Sequence, residues 1–410
     1  MDTEQQQRTE SSLLIGEVGE IGIERIEDLE GKAYRVIDSL RNKVFSPSQE
    51  KVLNKRYTIS QAAEMVGRST TTIRESEVAG GRLPVPAKNE KGRRVGYSLE
   101  EINNMRRVFG TQPYRDNETD DAIIIAIQSF KGGVGKSTLT AHLAQSFAED
   151  GYRVCVIDTD PQASTTSLFG LNPALDLECS DTLHPYLSRK EESIRYAVRN
   201  TYWDQLKLVP STLDLYDIEY ELAGQLPSNP LLLDTLRTGV TVLAQDFDIV
   251  LIDSPPALGM ISLSVLRTAN ALIVPVRPAT IDFGSTAHFF TMLKESLQQL
   301  KGLGMNPSYK FFKVLVNDMD ENKSAHVEIK NMMETVFGTE MLKTVMKNSA
   351  EIDNAGARLM TVYELEKPIT SKKTHKRCRA SLDALNKELR TLIRRTWPSQ
   401  REALRQEGAV

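Results

Sequence analysis

The chain has little cysteine, few aromatics and almost no net charge for its length. Three of its 410 residues are cysteine, Cys155, Cys179 and Cys378, and none stands in a C-x-x-C spacing. They read as reduced thiols and offer neither a disulfide framework nor a cysteine-built metal site. The five histidines are scattered along the chain, so no histidine cluster suggests a metal. No apolar run approaches the roughly 18 residues that a membrane-spanning helix needs. The opening stretch, "MDTEQQQRTE", is polar and acidic and has no signal-peptide core. The formal net charge of −4 by itself predicts no affinity for nucleic acid.

What is present is more telling. Hydrophobic residues make up 40% and charged residues 26%, an ordinary soluble composition, and 410 residues allow two or three domains. The charge is unevenly spread. Residues 51–115 hold 13 Lys/Arg against 6 Asp/Glu, and residues 371–395 hold 9 against 2. Two basic islands in an acidic protein suggest two separate anionic contacts, although either island could be a plain solvated face.

Residues 1–20 are polar and aperiodic and read as a disordered tail. In the segment 21–50, Ile23, Ile26, Leu29, Ala33, Val36, Ile37 and Leu40 recur at threes and fours, the stripe of an amphipathic helix from Ile21 to about Phe45. It has no core of its own and could pair with a second copy. Within an expected domain of residues 51–115, residues 57–110 read as a compact helical module, and the polar linker "TQPYRDNETDD" (111–121) comes after it. Apolar, β-branched runs then recur at "AIIIAIQ", "RVCVID", "DIVLID", "ALIVPV" and "FKVLVN", separated by helical patterns. That alternation predicts an α/β, doubly wound, mostly parallel sheet within 116–400, with 401–410 as a tail.

"SFKGGVGKST" (129–138) follows the first of these strands and opens a helix. This is the context in which a phosphate-binding loop is expected. Gly132, Gly133 and Gly135, with Val134 between them, let backbone N–H groups converge on phosphate oxygens, and the helix adds its positive end. Lys136 is expected on the β- and γ-phosphates, Ser137 on Mg²⁺, and Thr138 beside the nucleotide. Asp253 ends one hydrophobic strand, and Asp158 and Asp160 lie at the end of another, where ligands gather in such sheets. Asp158 and Asp253 join Ser137 as expected metal residues, and Asp160 as the residue that orients or deprotonates water. The pair Asp158 and Asp160 also fits a mere loop and helix cap. Lys131 is an extra lysine in the loop. Lys136 would repel it within one site, but it could reach a neighbouring subunit's nucleotide in trans, much as an arginine finger does.

These three segments, K-G-G-x-G-K-S, D-x-D-P-Q and the hydrophobic-D-S-P-P run, resemble the deviant Walker A ATPases of the MinD/ParA group. The resemblance implies an ATP-sandwich homodimer, ATP/ADP and Mg²⁺ as ligands, and Mg-dependent ATP hydrolysis that is weak and partner-stimulated. It also implies Lys131 as the signature lysine, Lys136 as the phosphate lysine, Asp160 as the water-activating residue and Asn317 on the adenine. Relatives that need an iron–sulfur cluster or a cysteine metalloid site fit poorly, since Cys155 falls inside a strand. A membrane-cycling relative also fits poorly. The helix around "LDALNKELRTLIRR" carries Leu382, Leu385, Leu389, Leu392 and Ile393 but no Phe or Trp on that face, and it reads as packed on the core.

The N-terminal module narrows the group. "YTISQAAEMVGRSTTTIRESEVAGGRLP" reads as two short helices around Gly67, with Ser60 and Ser69 as possible caps, Ala63 at the crossing and Ile73 inward. Ser69, Thr70, Thr71, Thr72 and Arg74 are the expected DNA-facing residues. "LPVPAKNEKGRRVGYS" reads as a wing presenting Arg93 and Arg94 to phosphates or a minor groove. The whole resembles MerR-type winged modules, with a small protein-binding domain as the alternative. A winged helix-turn-helix and an N-terminal helix ahead of a P-loop NTPase domain resemble the large plasmid partition ATPases of the ParA/SopA type. That resemblance implies an ATP-bound dimer that binds DNA without sequence preference and is released when a ParB-type centromere-binding protein stimulates hydrolysis. It further implies an ADP or apo form that represses its own operon, a dimerising N-terminal helix, and a bacterial, cytoplasmic, nucleoid-associated location without membrane binding. Lys347, Lys372, Lys373 and Lys376, with Arg377 and Arg379, are the candidates for non-specific DNA contact. The competing reading is a nucleotide-gated transcriptional repressor without a segregation role.

Overall fold

Each of the five long apolar runs becomes a strand; four are buried along their whole length, and the last, Phe311–Val316, leaves Phe312 and Lys313 half-buried. The computed structural model describes residues 22–45, 51–226, 228–305 and 308–408, so the expected tail 1–20 lies outside the described residues. The chain divides into two units, residues 1–50 and residues 51–410. The described part of the first is one helix, α1 (Ile23–Phe45). Its stripe residues Ile23, Ile26, Leu29, Val36 and Ile37 are exposed.

The second unit opens with three helices, α2 (Ile59–Val66), α3 (Thr70–Ser76) and α4 (Leu99–Phe109). Helix α2 is capped by Thr58 rather than by the expected Ser60. The Thr58 hydroxyl accepts from Gln61 N–H while the Gln61 side chain accepts from Thr58 N–H, a reciprocal box that only a residue three before Gln61 can make. Gly67 ends α2 at φ +67°, the left-handed conformation that turns the chain into α3. Ser69 caps α3 by accepting from Thr72 N–H, and Ile73 is fully buried. Between α3 and α4 a hairpin reverses at Gly92 (φ +69°), and Lys88 and Arg94 face each other as an antiparallel bridge.

The sheet begins with β1 (Ile123–Ile127), α5 (Lys136–Asp150), β2 (Val154–Asp158), α6 (Ser164–Leu168) and α7 (His184–Leu187). It continues through β3 (Arg199–Asn200), β4 (Leu206–Val209), α8 (Leu215–Gln225), α9 (Thr235–Leu243) and β5 (Ile249–Asp253). Next come α10 (Met260–Thr268), β6 (Ala271–Val276), α11 (Thr280–Gly302), β7 (Phe311–Val316) and α12 (Ser324–Phe337). The chain closes with α13 (Ala350–Gly356), α14 (Lys372–Thr396) and α15 (Arg401–Gln406). The strand order is β3-β4-β2-β5-β1-β6-β7, parallel throughout except for β3. Alternate residues of β1 enter opposite cores. Ile123, Ile125 and Ile127 pack with α5 and α14, while Ile124 and Ala126 pack with α9, α10 and α11. Register sets Asp253 beside both Ile127 and Asp158, so three strand ends meet at one edge.

Two expected boundaries change. The tail expected at 401–410 is helical as far as Gln406. Leu404 is buried there, and Arg394 donates to both carboxylate oxygens of Glu407 at 2.8 Å. The module 51–115 is not a separate body, because its apolar residues and those of the sheet form one core. Lys51 enters that seam, pairing with Glu364 at 2.8 Å and donating to the carbonyls of Leu168 and Leu359 at 2.6 Å each. Asn103 donates to Asp204 at 2.7 Å. Arg106 donates to the Glu149 carbonyl at 2.8 Å.

Candidate active site and nucleic-acid interface

The loop 128–135 leaves β1 and ends at Gly135, which precedes α5 at φ +84°. A Cβ on Gly132 or Gly133 would meet nothing within 4 Å, so the crest of the loop is open. A Cβ on Gly135 would lie 2.8 Å from the Asn317 amide nitrogen, which donates to the Val134 carbonyl at 2.7 Å. Only glycine permits that approach, and β7 thereby latches the loop. Asn317 thus holds the loop backbone and lines a cavity of about 260 Å³ with Thr138, His142, Asp318 and Lys347.

The two lysines of the loop part company. Lys136 turns inward and donates to the Lys131 carbonyl at 3.3 Å. Burial pulls its pKa down, while Asp253 and Asp160 oppose that shift. Lys131 turns outward and pairs with Asp282 on α11. Within one chain, therefore, the extra lysine is held away from Lys136 by a carboxylate to which motif reading gave no role. Arg277 is a second such residue. Placed just beyond β6, it pairs with Asp318 at 2.7 Å and donates to the Gly133 carbonyl at 3.2 Å. Its position one residue past a strand end was the available signal.

The carboxylates converge as their strand ends require. Asp253 is fully buried. Burial pushes its pKa up to about 6, and hydrogen bonds from Ser137 and Thr165 pull it back. Thr165 donates to it at 2.8 Å. Asp158, in register with Asp253, is raised well above the ordinary range, first by burial and then by the charge of Asp253. Both of its oxygens are occupied: Thr166 donates N–H and O–H to one at 2.9 and 2.7 Å, and Asp160 N–H donates to the other at 3.1 Å. Through these bonds Asp158 braces the loop Thr159–Thr166. Ala163 within that loop sits at φ +51°, a strained turn for a residue with a Cβ. Asp160 accepts from Gln162 N–H at 2.9 Å through one oxygen; the other has no partner among the described residues. Burial raises its pKa, and Lys136 partly offsets this.

The donor set suits a hard cation. Ser137 and Asp253 offer oxygen ligands, with a second buried carboxylate behind them. Among the described residues no group of three His, Cys, Asp or Glu side chains forms a cage. Mg²⁺ fits such a site, because it takes few protein ligands and keeps water and phosphate oxygens as the rest.

The residues expected to face DNA separate into those free of ion pairs and those that hold one. Thr71 and Arg74 are exposed on α3, and Thr70 and Thr72 are half-buried beside them. Ser69 and Thr72 also serve the cap. On the hairpin Arg93 is exposed, but Arg94 pairs with the buried Glu77 and with the Tyr97 hydroxyl. Arg94, itself exposed, thereby braces the hairpin. At the second island Lys372, Lys373, Lys376 and Arg377 are exposed and free of ion pairs among the described residues. Arg379 is not: it pairs with Glu149 at 3.3 Å and lies over the Tyr363 ring at 4.0 Å. Lys347 pairs with Glu321 at 2.8 Å on the wall of the cavity beside the loop.

Comparison with known proteins accords with this geometry. A family model described as an AAA domain matches residues 122–302. The protein SopA of Escherichia coli K12 is 35% identical over 328 residues, covering 78% of this chain and 83% of SopA. The chromosome-partitioning ATPase Soj of Thermus thermophilus is 28% identical over 231 residues, covering 56% and 83%. A solved structure described as a partition protein superposes with a TM-score of 0.64 over 90% of this chain and 98% of that one, at 18% identity, a likeness of fold.

Proposed function

The chain belongs to the SopA/ParA family of partition ATPases, and from that premise we propose that its nucleotide state selects between two modes of DNA binding. In the ATP state a homodimer binds DNA without sequence preference. Hydrolysis, stimulated by a ParB-type partner, releases it. In the ADP or apo state the helix-turn-helix holds an operator upstream of its own gene. The observation that carries this reading is the course of α5, which begins at Lys136 and ends at Glu149 and Asp150 against the helix-turn-helix module.

The chemistry follows from the site. ATP phosphates sit over the open crest of the loop, with Lys136 beneath them and the N-terminus of α5 aimed at them. Ser137 and Asp253 hold Mg²⁺, which offsets charge on the phosphate oxygens. Asp160 has one free carboxylate oxygen and a pKa raised by burial; it orients the attacking water and accepts its proton. Lys131 serves the dimer by leaving Asp282 for the partner copy's nucleotide. Arg74, Thr71 and Arg93 read or clamp the operator, and Lys372, Lys373 and Lys376 contact random DNA.

The test is binding of the full chain to random-sequence DNA and to its own upstream DNA, each with no nucleotide, ADP or a slowly hydrolysed ATP analogue. We expect the analogue to switch on random-DNA binding and ADP to favour the upstream site. Upstream binding alone in every state would overturn this reading in favour of a nucleotide-gated repressor.

A further inference from the structure

The loop that follows Asp253 runs from Ser254 to Gly259 and is held at its far end from outside. Helix α10 starts at Met260, and Gly259 before it offers no side chain to cap the free N–H groups. Glu219, on α8, supplies the cap from a distance in sequence. Its carboxylate accepts from Met260 N–H at 2.5 Å and from Ile261 N–H at 3.2 Å. The residue before the helix is matched to those bonds. A Cβ on Gly259 would lie 2.4 and 2.6 Å from the two Glu219 oxygens, so the carboxylate reaches its seat only because residue 259 is glycine. On the same helix, the Tyr216 hydroxyl accepts from Gln162 at 3.1 Å. One helix therefore ties down both loops that border the carboxylates.

The geometry points to Glu219 as a positioning residue for ATP hydrolysis, one that fixes the Ser254–Gly259 loop and hence the approach of the nucleophile beside Asp253. It rests on the hydrolysis reading above and acts through the loop, since its carboxylate is taken up by Met260 N–H and Ile261 N–H. Asp253 belongs to a buried strand and stays in place without it. Nucleotide affinity should therefore survive its loss, while the geometry of the reacting water should not.

Steady-state ATP hydrolysis and ADP affinity should be measured for the full-length wild type and for Glu219→Ala, Glu219→Gln and Gly259→Ala, with thermal melts. Tyr220→Ser, exposed on the same helix, serves as control. Glu219→Ala and Gly259→Ala should lower kcat about tenfold to a hundredfold, with ADP affinity within about twofold. Glu219→Gln, which keeps one acceptor oxygen, should fall between, and Tyr220→Ser should match the wild type. Wild-type turnover with an unchanged kcat in Glu219→Ala overturns this proposal alone. So does ADP affinity falling in step with kcat, for then Glu219 merely supports the fold. A wild type that turns over no ATP overturns the hydrolysis reading and the proposal together.

Discussion

His142 shows how a single buried side chain near the nucleotide loop sets a pH limit. It lies on α5, where Nδ1–H donates to the Thr138 carbonyl at 2.7 Å and Nε2 accepts from Val362 N–H at 3.1 Å. Both ring nitrogens are used, and only a neutral ring can use them so. Burial pulls its pKa down to about 4 from 6.5. Between those two values the unfolded chain binds a proton that the folded chain refuses. Stability should therefore rise with pH through this window and fall as pH drops from 6.5 towards 4, by about 3 kcal/mol if the full shift is realised. Urea unfolding at pH 6.5 and 4.5 checks this. His142→Gln should flatten the pH dependence, and an equally steep loss in that variant would remove His142 as its source. Residues of this kind were not legible in the sequence. The loop glycines, Lys136 and Ser137 share one turn and declare themselves by spacing. Val362, Asp282 and Asp318, which pair with His142, Lys131 and Arg277, lie far away in the chain and are fixed only by the fold.

At the scale of elements, α5 carries the most consequence, because one helix serves two sites. Its last turn holds Glu149, which accepts from Lys55 at 2.6 Å and from the Tyr57 hydroxyl at 2.7 Å, while Arg379 pairs with it from α14. Burial opposes the charge of Glu149, but Lys55 and Arg379 outweigh it and hold the carboxyl below its ordinary value. Removing this acceptor leaves two cations and a hydroxyl facing a void. Glu149→Ala should cost about 3 kcal/mol, read as a shifted urea midpoint. Adding Lys55→Ala should cost little more, since its partner is already gone. Fully additive losses would show that the two do not act as one unit. The five long strands were readable because parallel strands buried on both faces are continuous apolar runs. Strands β3 and β4 escaped because "RN" and "LKLV" are too short to show a period. The braces at Lys51, Lys55 and Arg106 escaped for another reason. A basic residue counted in an island carries no mark of whether it faces solvent or a buried carboxylate.

At the scale of the whole molecule, that sorting changes what the basic islands mean. In the first, much of the charge is internal: Lys51, Lys55, Arg106 and Arg115 hold the module to the sheet or brace the chain beneath it. In the second, Lys372, Lys373 and Lys376 are exposed in the first turns of α14, behind the Ser371 cap. Cations at the positive end of a helix are locally unfavourable, by about 0.3–1 kcal/mol each. A fold that keeps two of them in the first turn, with Lys376 just beyond, gains nothing in stability there, which argues for an anion that they serve. Replacing all three with glutamine should leave the melting temperature unchanged or raise it, while weakening ATP-dependent binding to random DNA. If each lysine contacts one phosphate, the slope of log affinity against log salt should shrink by about 2.7 for each subunit on the DNA, about 5.4 for the homodimer. Operator binding in the ADP state should be untouched, because Arg74 and Arg93 lie elsewhere. An unchanged slope would return the second island to a solvated face. An equal loss at the operator would mean that one surface, not two, meets DNA.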